Sequence, residues 1–352
     1  MKDLGKINQD MGIATLDQSG YIANAIEDLT LQNIKRKTIP MSTNLTLSNE
    51  DSPNTEDQSA EMKSKPYAQA IGKLNWIAQA SRPDIAFATS MCGRYTQNPG
   101  IKHWNAVRQI YGYLKNTIDT KIEFKKQMNP LNGYCKGHVD ADYAGYWDTA
   151  RSTTDCVYTY SGGAIAWTSK RQKCVATSTG EAEYMAIKHG SDIAIWLINV
   201  MEHLGRKLKS PIPIKTDNNA ALTNIINPGS ITGLKHIRVQ YHASKERHEQ
   251  KEIEVKGIRT YDQLADIFTK ALNGNQLRSL CKGMGINISN GNTIDKISTV
   301  NESQYIQQEE CQNTDSELDI QHHLITRDRQ LRTDTRARKT DVRPTIMIFG
   351  QQ

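Results

Sequence analysis

No apolar run in the 352-residue sequence approaches the ~20 residues needed to cross a bilayer, and the amino terminus lacks the apolar core of a secretion signal. These absences argue against a membrane span and against secretion. The expectation is a soluble intracellular protein, cytoplasmic or nuclear. The six cysteines (Cys92, Cys135, Cys156, Cys174, Cys281 and Cys311) show no C-x-x-C spacing, which reads as reduced, mostly buried thiols. His236, His242 and His248 recur every six residues, matching no usual zinc spacing, so packing or phosphate contact is expected of them rather than zinc. Apolar content is low at 37%, with a mean hydropathy of -0.62, so part of the chain is expected to lie outside any packed core. The formal charge of +6 permits a polyanionic partner without requiring one.

What is present changes character along the chain. In residues 1–40, Ile22, Ala25, Ile26 and Leu29 fit one face of a short helix. Residues 41–63 are polar and acidic, with no apolar period, and read as a linker. From residue 64 to about 120 three helical stripes follow: Tyr67, Ile71, Leu74 and Ile77; then Ile85 to Cys92 after Pro83; then Trp104, Val107, Ile110 and Leu114. The basic residues here (Lys73, Arg82, Arg94, Lys102, Arg108 and Lys115) are expected mostly on solvated helix faces, with a track for a nucleic-acid duplex as the lesser alternative. Strand patterns begin at residue 121, with Tyr134–Asp140, Cys156–Tyr160 and Ala164–Thr168, the last two joined by a tight turn at Ser161-Gly162-Gly163. A long helix from Thr179 to Leu204 follows. Then come a strand at Ile212–Thr216, a helix at Asn218–Asn227, a basic segment at Lys235–Gln250, a strand at Ile253–Gly257 and a helix at Tyr261–Leu272. The pattern predicts one mixed sheet with helices on its faces, ending near residue 286. Residues 287–352, with a basic cluster from Arg327 to Arg343, read as a disordered tail that could also touch nucleic acid.

Four acids stand where these elements begin or end: Asp140, Glu183, Asp217 and Asp266. Asp140 and Asp217 each close a strand, where open α/β sheets place their ligands. Capping of the next helix would also account for Asp217, and a turn role for Asp140. On the long helix the choice lies between Glu181 and Glu183. Three and four residues beyond Glu183 come Ala186 and Ile187, then Gly190, Ile193, Ala194 and Leu197, an apolar face. Glu181 leads instead to Met185, Lys188, His189 and Asp192. Glu183 is therefore expected to point at the sheet, where an unpaired carboxylate is costly unless a cation meets it. Thr260 and Gln263 have capping-box spacing, which would start the last helix near Tyr261 and set Asp266 beside its inward stripe; an ordinary solvated acid fits there too.

The stretches around these acids carry a resemblance. His-Val-Asp-Ala-Asp-Tyr-Ala-Gly at residue 138, Ser-Lys-Arg-Gln-Lys-Cys-Val-Ala-Thr-Ser-Thr-Gly-Glu-Ala-Glu-Tyr at 169, Thr-Asp-Asn-Asn-Ala-Ala at 216 and Asp-Gln-Leu-Ala-Asp-Ile-Phe-Thr-Lys at 262 resemble the ribonuclease H domain of Ty1/copia-type retrotransposon Pol polyproteins. The helical block resembles the same family in Tyr-Ala-Gln-Ala-Ile-Gly-Lys-Leu-Asn-Trp-Ile-Ala and Ser-Arg-Pro-Asp-Ile-Ala-Phe-Ala. The resemblance covers about Ser64 to Leu272 well, Met1–Lys63 more loosely and the tail not at all. It implies an α/β, ribonuclease H-like mixed five-stranded sheet flanked by helices (121–286), preceded by a remnant of the polymerase thumb (1–40) and a small helical connection region (64–120).

It further implies an enzyme that hydrolyses the RNA strand of an RNA–DNA hybrid, with Asp140, Glu183, Asp217 and Asp266 holding two Mg²⁺, or Mn²⁺ in their place. Hard divalent ions of this kind take oxygen ligands, and a pair of them can steady both the attacking and the departing oxygen. Ser178, Thr179, Asn218 and Asn219 are candidates for hydrogen bonds to the hybrid, and Lys170 and Arg171 for phosphate contact, although plain surface exposure fits the basic pair as well. The rest of a Pol polyprotein is an expected partner. Four departures from the family stand out. Asp155 and Arg259 replace the usual glycine and proline, and no histidine lies between His248 and Asp266. The chain has no Asp-Asp dipeptide, so the paired aspartates of a polymerase palm are missing and no DNA synthesis is expected. The competing expectation is an inactive or domesticated retroelement fragment that binds nucleic acid or a protein without cutting.

Overall fold

The structure, a computed structural model, describes residues 6–10, 12–125, 132–145, 150–227 and 243–288, all within one compact unit. His236, His242 and the tail from residue 289 lie outside the described residues.

The amino-terminal hairpin of β1 (Lys6–Asp10) and β2 (Ile13–Asp17) leads into α1 (Ser19–Asp28), whose Ile22, Ala25 and Ile26 are buried as their spacing requires. Residues 41–63 depart from the linker expectation. Met41, Leu47 and Met62 are buried in the same core as α1, and the acidic end forms α2 (Glu56–Lys63), capped by the Thr55 hydroxyl. An aperiodic segment leaves no stripe to read, yet three isolated apolar side chains suffice to hold it down. Helices α3 (Tyr67–Ala80), α4 (Ala86–Gly93) and α5 (Ile101–Asn116) follow the predicted stripes, with Leu74, Ile77, Val107, Ile110 and Leu114 fully buried.

The basic residues of this block mostly serve the fold. The buried Arg82 guanidinium meets Asp84 Oδ2 at 2.7 Å and donates to the Thr117 carbonyl, while the Tyr113 hydroxyl donates to Asp84 Oδ2 at 2.6 Å. A charge pair taken out of water survives only with its donors and acceptors used in this way. Lys73 pairs with Asp28 and Lys102 with Asp51, and Lys115 donates to the Gln32 and Ile34 carbonyls.

Strand β3 (Ile122–Lys125) pairs antiparallel with β2, completing a three-stranded sheet. After β4 (Asn132–Gly133), the antiparallel strands β5 (Cys135–Asp142), β6 (Thr153–Tyr160) and β7 (Gly163–Arg171) begin the main sheet. Ser161 and Gly162 make the β6–β7 turn with φ of 54° and 80°, the mirror-image turn that matches strand twist. Then come α6 (Thr179–His203), β8 (Lys207–Leu208, paired with β4), β9 (Ile212–Thr216), α7 (Asn219–Ile226), α8 (Ala243–Glu249) and β10 (Ile253–Gly257). The five-stranded order is β10-β9-β5-β6-β7, with β9 parallel to both β5 and β10. This is the mixed sheet flanked by helices that the pattern predicts.

Strands β6 and β7 are each longer than their apolar runs. The added residues, Thr153–Asp155 and Ser169–Arg171, are polar yet paired across the ladder, so hydrophobic alternation alone does not reveal them. Likewise β5 continues two residues past Asp140. On one face of the sheet Val139, Cys156, Tyr158 and Ala166 pack against α6 and α7. On the other, Val157 and Ala164 join a core shared with α1, α3 and α5. Gly190 lets α6 lie close over β5, since a β-carbon there would run into Val139; the Tyr158 hydroxyl donates to its carbonyl at 2.6 Å.

The last expected helix is replaced by a broken path. A 3-10 turn at Thr260–Asp262 is followed by extended Gln263, then the four-residue α9 (Asp266–Thr269) and α10 (Gly274–Gly283). Gln263 does not cap Thr260. It is wholly buried and donates from Nε2 to the Val139 carbonyl at 2.8 Å, a pull on the chain that a continuous helix would not permit. No described helix is long and apolar enough to cross a membrane.

Candidate metal centre

Parallel pairing of β5 with β9 sets the end of β5 beside Asp217, which directly follows β9. The amino-terminal turns of α6 lean over this edge. Ser178 caps α6 by accepting the Glu181 amide proton, and the Glu181 carboxylate reaches back to accept from the Thr177 amide and hydroxyl at 2.6 Å each. Glu181 is thus buried, contrary to its polar-face expectation, because its carboxylate closes the helix start. Two residues on, Glu183 points into the cleft.

Asp140, Glu183 and Asp217 each offer an oxygen within 4.8 Å of the others, close enough to share one ion. Asp266 stands next to them, almost wholly buried, with its carboxyl against Asp140 and its Oδ2 2.8 Å from Lys270 Nζ. The Thr269 hydroxyl donates to Asp140 Oδ2 at 2.9 Å. Together these residues line an open cleft of about 300 Å³, completed by Ala141, Asp142, Thr179 and Asn218.

The electrostatics are those of crowded acids with Lys270 as a nearby cation. Burial, then the neighbouring Asp140 and Asp217, push the Glu183 carboxyl up to about 10, and its Oε2 has no hydrogen-bond partner. Burial lifts Asp266 to about 6, with Lys270 pulling the other way, and burial with Asp140 lifts Asp142 to about 6. A buried, unpartnered oxygen among other carboxylate oxygens is a donor set suited to Mg²⁺ or Mn²⁺. The residues present therefore fit such an ion.

Asp266 owes its position to residues that serve β5. His138 Nδ1 lies 3.3 Å from Gln263 Oε1 and 3.4 Å from the Leu264 amide, so the two sides of the sheet edge are pinned together. Burial, reinforced by Lys215, drives His138 down to about 3 and keeps it neutral.

Of the residues singled out from sequence, the structure brings Asp140, Glu183, Asp217, Asp266, Thr179 and Asn218 to one cleft. Asn218 also caps α7 through the Ala221 amide at 2.9 Å. Ser178 is occupied in capping, Asn219 does not line the cleft, and Lys170 and Arg171 lie exposed on the edge strand β7, level with Ala141 and Asp142 in the register but two strands away. Asp142, Thr269 and Lys270 escaped the sequence reading. The two-residue spacing of Asp140 and Asp142 is a strand signal for a shared face, and Asp266 with Lys270 is an i,i+4 pair. Thr269 gave no signal. Asp155, where the family usually has glycine, adopts ordinary strand geometry with no positive φ. It sits opposite Asp140 in the ladder, fully buried, with Ser169 close to its carboxyl.

A five-stranded α/β domain with converging acids at the ends of its parallel strands belongs to the class that can bind divalent ions at a sheet edge. No protein-family model matches the chain. It is 36% identical over 292 residues to the retrovirus-related Pol polyprotein from transposon TNT 1-94 of Nicotiana tabacum, a match covering 80% of this chain and 22% of that protein. The corresponding polyproteins from transposons RE2 and RE1 of Arabidopsis thaliana are 32% identical over 220 residues and 30% over 271, covering 62% and 77% of this chain and 15% and 18% of theirs. The chain belongs to the Ty1/copia-type retrotransposon Pol polyproteins and spans about a fifth of the length of these relatives.

Proposed function

We propose that residues 121–286 form a ribonuclease H-like domain that hydrolyses the RNA strand of an RNA–DNA hybrid, within a protein of the Pol family and inside the cell. The observation that carries this reading is the convergence of Asp140, Glu183 and Asp217 within 4.8 Å, with Asp266 alongside. These four acids would hold two Mg²⁺ or Mn²⁺, which when bound supply an activated water and neutralise charge on the departing oxygen. Thr269 orients Asp140 through its hydroxyl, and the Gln263–His138 contact fixes the segment that carries Asp266. Thr179 and Asn218, on the cleft wall, offer polar groups to a hybrid read by shape and 2′-hydroxyls rather than base sequence. Residues 1–40 and 64–120 correspond in this proposal to thumb and connection regions, and the remainder of a Pol polyprotein is the natural protein partner.

The test is cleavage of a labelled RNA–DNA hybrid by the purified chain in Mg²⁺, with Asp140→Asn as control. Cutting of the RNA strand that disappears in the variant supports the proposal; a folded protein that leaves the hybrid intact refutes it. A second reading, a retroelement-derived protein that binds hybrid or a protein partner without cutting, draws on Asp155. Asp155 places an additional buried carboxyl opposite Asp140, and burial with Asp140 and Asp142 disfavours its charge.

A further inference from the structure

We propose that Lys270 is a built-in cation that blocks the Asp266 side of the cleft, so that the two metal positions fill unequally and in order. This rests on reading the cleft as a two-ion centre.

The four acids are not equivalent. Asp140, Glu183 and Asp217 converge on one another with no ion pair to a base, whereas Lys270 acts on Asp140 and Asp217 only from the cleft wall; neither Glu183 Oε2 nor Asp266 Oδ2 has a hydrogen-bond partner. Asp266 already has a cation. Lys270 Nζ lies 2.8 Å from its Oδ2, with the carboxylate buried and the lysine side chain 49% exposed. The pair is not an ordinary helical one. Helix α9 ends at Thr269, and Lys270 leaves it in extended backbone (φ -146°, ψ 157°), so its side chain folds back over the helix it has just left and into the cleft wall. An ion that enters among Asp140, Glu183 and Asp217 parts no ion pair. An ion that uses Asp266 must first part it from Lys270, which costs the ion pair.

The same geometry gives the displaced ammonium a destination. Its half-exposed stem lets it swing toward the open mouth of the cleft, where a phosphodiester backbone would lie. Lys270 is thus a positioning residue with two alternative partners. It holds Asp266 while the cleft is empty and faces substrate phosphate once the cleft is loaded.

Titration of the full chain with Mn²⁺ alone, counting free ion by electron paramagnetic resonance, tests this directly. Wild type should show one tighter and one weaker ion. Lys270→Met should tighten the weaker ion by about two- to tenfold and leave the tighter one nearly unchanged, while Lys270→Arg, which keeps the pair, should match wild type. In hybrid cleavage the Met variant should show a raised KM although it binds metal better, a combination that a purely structural lysine would not produce. Unchanged or weakened Mn²⁺ affinity in Lys270→Met, with wild type still binding, overturns the role of Lys270 and leaves the metal centre standing. Failure of wild type to bind Mn²⁺ at all removes the metal centre and this inference with it.

Discussion

Replacing Glu183 with Gln should make the metal-free protein more stable while removing its ability to bind metal. Glu183 titrates near 10 in the folded chain against an ordinary 4.5, because burial and the facing Asp140 and Asp217 disfavour its charge. The sign follows from linkage. An acid whose folded value is raised keeps its proton in the native state after the unfolded chain has lost it, so stability is greatest below about pH 4.5 and falls as pH climbs toward 10. At pH 7 the gap from 4.5 is 2.5 pH units, which at about 1.4 kcal/mol per unit comes to about 3 kcal/mol. Glutamine has the same shape and nothing to ionise, so Glu183→Gln should recover about that much at pH 7 and little at pH 4. The assay is urea unfolding in chelator at a series of pH values for both proteins, repeated with Mg²⁺. Wild type should gain stability from Mg²⁺ and the variant should not. Two parallel pH profiles, with the variant no better off at pH 8 than at pH 4, would refute the account of a carboxylate held without its counter-ion.

Two further outcomes follow from the same cleft. Asp155 is fully buried, and burial, reinforced by Asp140 and Asp142 against the Ser169 hydroxyl, pushes its carboxyl well above the usual range; Asp155→Asn should therefore reduce the loss of stability seen as pH rises above the ordinary carboxylate range, measured by thermal unfolding, and should improve Mn²⁺ affinity. Gln263→Ala removes the hydrogen bonds to Val139 and His138 that tie down the Asp266 segment, and should cost about 1–3 kcal/mol in urea unfolding. It should also reduce the stabilisation by Mn²⁺ more than a surface substitution such as Lys170→Ala does.

Much of the site was legible in order along the chain. The apolar face beyond Glu183 was enough to choose it over Glu181, because a helix repeats every 3.6 residues and a misplaced acid would meet the sheet. The strand before Asp217 and the Ser161-Gly162 turn were equally plain. The same reasoning could not show that Glu181 is buried too, since its burial comes from closing the helix terminus and not from the helix face. It also extended a helix across Tyr261–Leu272 where the chain breaks. The apolar spacing there suits a helix, but the hydrogen bonds of Gln263 to β5, 124 residues away, win over local preference.

Sequence alone determined the helices of residues 64–120, the strands and long helix of the main sheet, the family resemblance and the four candidate acids, because periodicity and local capping depend on neighbours within a few residues. Only the tertiary structure decided that Asp140, Glu183 and Asp217 converge, that Lys270 holds Asp266, and that Asp155 lies buried beside them. It also decided that Met41, Leu47 and Met62 anchor a stretch that reads as linker. Those outcomes turn on sheet register and long-range packing. Distances between residues tens of positions apart, such as Asp140, Glu183 and Asp217, are set by which strands pair and which faces close, and no local pattern carries that information.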